Sequence, residues 1–376
     1  MAATESGGAG LNATAPRAPL LAAVAAAWVA IAWLAGLRQG LLFAIGIGLG
    51  AALAGAHFGF TTGWRVWIKS RDPTGLLAQF VAIGLAMAVS IPLMAAFPND
   101  LVGAVGPLSV SLLLGAFVFG AAMQVADGCG SGTLYKAGLG NAVNIAVVPG
   151  FIAGTFLGAA HLDWWLRLGD LGPFTVQQFV GTAGAVGLQL AMLVFLAALA
   201  WRYRKQLGTR WRGRGVFVAA VLLAVFAVAN LVVAGQPWGI VYGVGLWGAK
   251  IATLLGWDPT GNAFWGREAQ LAQIAAPVLD DVTSVTNFGL LAGSLLAAAW
   301  RNEACPPAAP TRRQWLALLL TGFVLGYSAR LAFGCNIGAY FAGIASGSLH
   351  GWVWFACAFA GSHLGVRLRA RLGFGG

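Results

Sequence analysis

Apolar stretches of 17 residues or more recur along this chain, each long enough to cross a hydrocarbon core about 30 Å thick as an α-helix. They lie at about 20–36, 41–57, 76–97, 107–126, 144–160, 177–200, 215–234, 238–256, 283–300, 315–333 and 350–366. A backbone in lipid has no water to bond, so such segments must be helical. An all-α integral membrane protein follows, a polytopic bundle of about ten transmembrane helices. Composition agrees: 59% of the 376 residues are hydrophobic and 33 are charged, whereas a soluble chain is about one quarter charged. That excludes a soluble enzyme and a disordered tail, and four cysteines are too few and scattered for a disulfide scaffold. The net charge of +11 collects between the apolar runs, as a topology signal and an attraction for anionic lipid rather than as a nucleic-acid-binding face.

Residues 1–19 read as a flexible tail, 20–200 and 215–376 as two halves of a membrane domain, and 201–214 as a basic cytoplasmic linker. That linker holds Arg202, Arg204, Lys205, Arg210, Arg212 and Arg214. The C-terminal cluster Arg367, Arg369 and Arg371, and the 58–72 connection with Arg65, Lys69 and Arg71, are expected on the same side. The short glycine-rich segments 128–140 and 334–347 are too short to cross and too apolar for loops, which suits re-entrant half-helices.

The halves repeat each other. With Cys129 laid over Cys335, Leu112, Phe117, Gly120, Ala126, Gly128 and Gly132 meet Leu318, Phe323, Gly326, Ala332, Gly334 and Gly338. Gly46-Ile-Gly48-Leu49 meets Gly243-Val-Gly245-Leu246. The loop charges are opposite: the counterpart of the basic 58–72 connection, 257–282, carries Asp258, Glu268, Asp280 and Asp281 against Arg267. Positive-inside asymmetry therefore implies an inverted repeat. The span count exceeds that arrangement by one, so one run between 215 and 256 is expected not to cross fully.

Two constellations could carry chemistry. Gly128-Cys129-Gly130-Ser131-Gly132-Thr133, preceded by Asp127 and followed by Lys136, frees the backbone to break the helix and approach a ligand. Gly334-Cys335-Asn336-Ile-Gly338 repeats the plan. Each thiol would stand at a broken-helix N-terminus, where amides and the dipole favour an anion. The bland alternative is that both cysteines are small packing residues. Arg330 and Lys136 are candidate anion attractors, Lys136 equally a snorkelling residue. Asp127 would pair with a base or cap the half-helix.

Cys305 reads as incidental and Cys357 as core packing, and the sixteen tryptophans as interfacial belts. His57, His161, His350 and His363 have no metal-ligand spacing, and no CxxC or HExxH occurs. Neither a metal nor a cofactor is expected. A different class of function is a membrane thiol-disulfide oxidoreductase pairing Cys129 with Cys335, which needs α-carbons within about 6–7 Å.

Gly128-Cys129-Gly-Ser-Gly-Thr and Phe333-Gly-Cys335-Asn336-Ile-Gly338-Ala, continuing through Gly343-Ile-Ala-Ser-Gly-Ser-Leu-His350-Gly-Trp352, resemble the signatures of the YeeE/YedE family of sulfur-compound transporters. The resemblance runs from about residue 40 onward. It implies uptake of an inorganic sulfur anion, thiosulfate in the characterised branch, across a bacterial inner membrane. It also implies protonated thiols that hand the anion along, no enzymatic step, and a small cytoplasmic sulfur-carrier protein as partner. One departure is visible: where thiosulfate members carry a further cysteine, this chain reads His57-Phe58-Gly59-Phe60-Thr61, with Gly59 in the thiol's place. That leaves a related sulfur or selenium species open as substrate.

Overall fold

A computed structural model describes residues 17–208, 214–302 and 311–373; Cys305, Arg210 and Arg212 lie outside them. Helices dominate: α1 (Arg17–Ala35), α2 (Leu37–Gly55), α3 (Phe60–Ser70), α4 (Thr74–Ala96), α5 (Val110–Val125), α6 (Gly130–Gly138), α7 (Ala142–Ala160), α8 (Leu162–Leu166) and α9 (Gln177–Arg202) precede the linker. After it come α10 (Gly215–Ala234), α11 (Val241–Leu254), α12 (Glu268–Ala275), α13 (Val282–Arg301) and α14 (Arg312–Leu331). A π-helical turn (Asn336–Phe341) then runs into α15 (Ala342–Ala345), and α16 (Leu349–Arg371) ends the chain. The two short strands, β1 (Pro107–Ser109) and β2 (Asp170–Pro173), pair antiparallel. Nine helical segments among the described residues are long and apolar enough to cross a membrane. The chain is an all-α polytopic membrane protein.

Every apolar run read from the sequence is a helix here. The run at 238–256 shrinks to the 14 residues of α11, about 21 Å at 1.5 Å per residue and short of the hydrocarbon core. It is the run between 215 and 256 that does not cross fully. Polar side chains set several helix starts: Ser109 accepts from Leu112 N at 3.2 Å, Asn141 from Val143 N at 3.0 Å, and Asp281 from Ser284 N at 2.7 Å. Thr311 and Gln314 form a reciprocal capping box on α14.

Three helix pairs hold the bundle: α2 with α13, α7 with α14, and α5 with α16. In each, small residues bring the backbones together, the packing that serves helices in lipid. A Cβ added to Gly289 would stand 2.9 Å from the α-carbon of Gly46, and one added to Gly150 would stand 2.8 Å from Phe323 N. The second and third pairs are counterparts, since α5 matches α14 and α7 matches α16 in chain order. The repeat is thus visible in packing as well as in sequence.

Two sequence readings need correction. The 58–72 connection is not a solvent loop: most of it is α3, whose inner face is buried, with Arg65 only 8% exposed. An arginine counted as a topology signal therefore points inward. The tryptophans are not all interfacial either, because Trp64, Trp238, Trp265 and Trp354 lie fully in the core. Trp64 and Trp354 pack with Tyr340, Phe355 and Phe359 around the second helix break. Sequence alone could not separate these indoles from interfacial ones, since both suit an apolar span.

Candidate substrate passage

The site grows from helix breaks with a common local design. At the end of α5, Asp127 takes a left-handed φ of 58° and Gly128 N reaches back to Met123 O at 3.1 Å. At the end of α14, Phe333 takes the same φ of 58° and Gly334 N reaches Ala329 O at 2.8 Å. This bond five residues back closes a helix C-terminus. The next residue is Cys129 in one half and Cys335 in the other, with φ, ψ of −80°, −168° and −89°, −168°. Each is the extended residue that starts the next helix. The two cysteines therefore share a backbone role as well as a place in the repeat.

A third break follows the same plan and was not read from the sequence. His57 has φ 49°, Phe58 N reaches Leu53 O at 2.8 Å, and extended Gly59 starts α3. Gly59 thus occupies the position that Cys129 and Cys335 hold elsewhere. The signal in the sequence is the interruption at His57-Phe58-Gly59, which the polar Thr61, Thr62, Arg65 and Lys69 beyond it make look like part of a loop.

The breaks converge. Cys129 and Cys335 are both free thiols, 1% and 0% exposed. A Cβ added to Gly130 would stand 2.8 Å from Cys335 Sγ, so the second thiol sits against the first turn of α6. Cys129 Sγ accepts from Gly132 N at 3.4 Å and lies 3.5 Å from Ser131 Oγ. Both thiols thus meet at the N-terminus of α6, where amides and dipole offer partial positive charge. Thr133 Oγ1 and both amide atoms of Asn336 are buried without a hydrogen-bond partner. Polar atoms left so are costly and mark places that a ligand or water would satisfy.

A cavity runs from Cys129 toward α3. It is lined by Gly59, Thr61, Thr62, Asp127, Gly128, Cys129, Ser131, Gly132, Tyr135 and Lys136, with Leu53, Phe58 and Phe60. Its volume of about 10 Å³ admits at most one water. The cavity is closed in this conformation, and anything larger than a water would need its walls to part. Tyr340, Trp354 and Phe60 make the wall behind the second break.

At the cavity's end, Asp127 binds Arg65 Nη1 at 2.5 Å and Lys136 Nζ at 2.7 Å, with Arg369 Nη2 at 3.7 Å. The Lys136 ammonium also donates to the Asp127 carbonyl. Asp127 therefore pairs with bases rather than capping α6, and Lys136 is anchored inside rather than snorkelling. Arg65 is steadied by Gln124 Oε1 at 3.0 Å, and Arg369 donates to the carbonyls of Gln124 and Val125, both at 3.1 Å. Arg369 was read only as part of a terminal basic cluster, and nothing local in the sequence marks it as inward-facing.

Arg330 goes elsewhere. Its guanidinium lies 4.8 Å from the Phe264 ring and 5.9 Å from the Tyr242 ring, and its Nε is buried without a hydrogen-bond partner. Tyr242 also lines an open cavity of about 370 Å³ with Gln236, Gln270, Gln273, Asp280 and Asp281. Gly338 has open space where a side chain would stand, and Gly334 holds φ 151°, strained for any residue with a side chain. Cys357 packs against the core. Among the described residues no three His, Cys, Asp or Glu side chains gather as metal ligands.

The model of the family described as sulphur transport matches residues 55–364, from the break before α3 to the last turns of α16. The chain belongs to the sulphur transport family. The matched region contains all three breaks and both thiols. The chain is 28% identical over 171 residues to the probable transporter YedE of Salmonella typhimurium LT2, covering 45% of this chain and 41% of that protein. With the probable transporter YedE of Escherichia coli K12 it shares 26% over 157 residues, 42% of this chain and 37% of the other. The alignments thus span about two fifths of the YedE proteins. With the thiosulfate transporter TsuA of Spirochaeta thermophila it shares 24% over 264 residues, 65% of this chain and 73% of that protein. Membership in this family, with nine membrane-length helices among the described residues, marks a multi-pass membrane protein.

Proposed function

We propose that the protein takes up thiosulfate, or a closely related sulfur or selenium oxyanion, across a bacterial inner membrane, along a passage in which Cys129 and Cys335 are consecutive stations. The observation that carries this reading is the meeting of both thiols at the first turn of α6, buried and free. Thiols are weak donors, so they can hold an anion loosely, as conduction requires of sites that must be left again. The hydroxyl of Thr133 adds a directed donor and Asn336 a carboxamide, both buried without a hydrogen-bond partner. Lys136 draws the anion at one end; Arg330, beside the Tyr242 vestibule, draws it at the other. The loop charges support an inverted repeat with the Asp127 end toward the cytoplasm, where a small sulfur-carrier protein would collect the product. On this reading the protein moves the anion without changing it.

Uptake of 35S-thiosulfate by cells lacking their own sulfur importers tests the proposal. Expression of the chain is expected to restore uptake, with unlabelled thiosulfate competing better than sulfate. Absence of uptake with the protein present in the membrane contradicts it.

The arrival of both thiols at the first turn of α6 also favours the oxidoreductase reading in one respect, since thiols brought to one place can pair. A reversible loss of two hydrogens by mass, tied to quinone and independent of any sulfur anion, would decide for that reading.

A further inference from the structure

We infer that Thr61 is a further station of the passage: its hydroxyl donates to an oxygen of the sulfur oxyanion where the anion meets Cys129, a contact that Gly59 has no side chain to make. This deepens the transport proposal and rests on it for the identity of the anion.

The hydroxyl is uncommitted, and the reason is local. A threonine inside a helix can turn its hydroxyl back onto the carbonyl four residues earlier. Thr155 does so to Phe151, Thr253 to Ala249, Thr286 to Val282 and Thr321 to Ala317. Thr61 is the second residue of α3, and four places back His57 stands in a left-handed turn before the helix begins. No helical carbonyl lies behind this hydroxyl. Thr61 is 2% exposed, and its Oγ1 is buried without a hydrogen-bond partner of ordinary length. A hydroxyl in that state is costly unless something visits it.

Its direction is the second ground. The Thr61 carbonyl accepts from Gln124 Nε2 at 3.3 Å, which ties this turn of α3 to α5. Gly63 N closes the same turn on Gly59 O at 2.9 Å. The side chain lines the cavity of Cys129, and its hydroxyl faces that thiol. Because the cavity holds at most one water, an anion that opens it touches both groups.

The three breaks supply the third ground. Two of them open on a thiol, Cys129 and Cys335, and the other opens on Gly59. Yet the first turn after each carries a buried polar side chain without a hydrogen-bond partner: Thr61, Thr133 and Asn336. Thr133 and Asn336 already belong to the proposed passage, and Thr61 holds the matching place on the remaining break. A hydroxyl is a stronger donor than a thiol and makes short bonds to anionic oxygen. It therefore suits the oxygens of the anion, and the thiols suit its terminal sulfur.

Equilibrium binding of 35S-thiosulfate to the full chain in nanodiscs tests this without any flux. Thr61→Val keeps the shape and removes the donor. It is expected to weaken binding about tenfold, the scale of one hydrogen bond to a charged group, at a parent-like melting temperature. Thr61→Ser restores the donor and is expected to bind like the parent. Parent-like binding in Thr61→Val, equal loss in Thr61→Ser, or a parent that binds no thiosulfate overturns the inference. If Thr61→Val does not fold, Thr61→Ala is read against Thr61→Ser in the same way, and parent-like binding in the alanine variant overturns it. Absence of uptake by the parent with this binding series intact would sink the transport reading and leave the station standing.

Discussion

At the scale of single residues, the thiols and their immediate neighbours carry the account. Cys335 Sγ lies so close to Gly130 that Gly130→Ala places a methyl group where the sulfur is. Overpacking of this kind costs about 1–3 kcal/mol, and we expect a lowered melting temperature together with loss of most uptake, read by thermal unfolding in detergent and by radiolabel flux. Gly59 makes the opposite case. A Cβ there would stand 3.2 Å from Thr62 Oγ1 and 3.6 Å from the Tyr135 hydroxyl, tight against Thr62 but facing the same cavity as Cys129. Gly59→Cys is therefore expected to be tolerated, and to raise uptake relative to the parent if the parent lacks one thiol station. An unchanged rate for thiosulfate and for selenium analogues would show that the passage needs no third sulfur. The two cysteines and their glycines were legible in the sequence because a short motif occurs twice. The partners of Asp127 were not, because Arg65 and Arg369 are 62 and 242 residues away from it, and only tertiary folding brings them together.

At the scale of elements, composition sufficed for the long helices and failed for the short ones. An apolar run without charge has one stable form in lipid, so each such run reappears as a helix. The half-helix α3 is hidden in the sequence because Arg65, Lys69 and two threonines make it look like a loop, although both threonines and Arg65 are buried and Arg65 bonds Gln124. The small-residue contacts that lock helix pairs are not legible in the sequence, which does not show which glycines face one another across the bundle. They give a stability prediction: Gly154→Leu on α7 forces its side chain into the backbone of Phe323 on α14. A cost at the upper end of about 1–3 kcal/mol is expected, lowering the melting temperature by several degrees. By contrast Gly187→Leu on α9, where nothing lies within 4 Å of the added carbon, should leave it unchanged.

For the whole molecule, the repeat is legible in the chain's residues, whereas the meeting of its two breaks in one place is not. Opposite loop charges predict opposed halves, and accessibility checks this. In a background with native cysteines replaced by alanine, Asp258→Cys is expected to react with an impermeant maleimide only from outside the cell. Lys205→Cys should react only after the cytoplasmic face is opened. Labelling of both from one side would remove the inverted arrangement. On the transport proposal, the constriction beside Cys129, with room for at most one water, has to widen for an anion to pass.

The central claim is that two mirrored thiols serve one route. It is tested most directly by initial rates of 35S-thiosulfate uptake in Cys129→Ala and Cys335→Ala, each normalised to folded protein in the membrane. Near-complete loss in both single variants, with parent-like amounts and melting temperatures, is the expected result. Parent-like uptake in either one would contradict it.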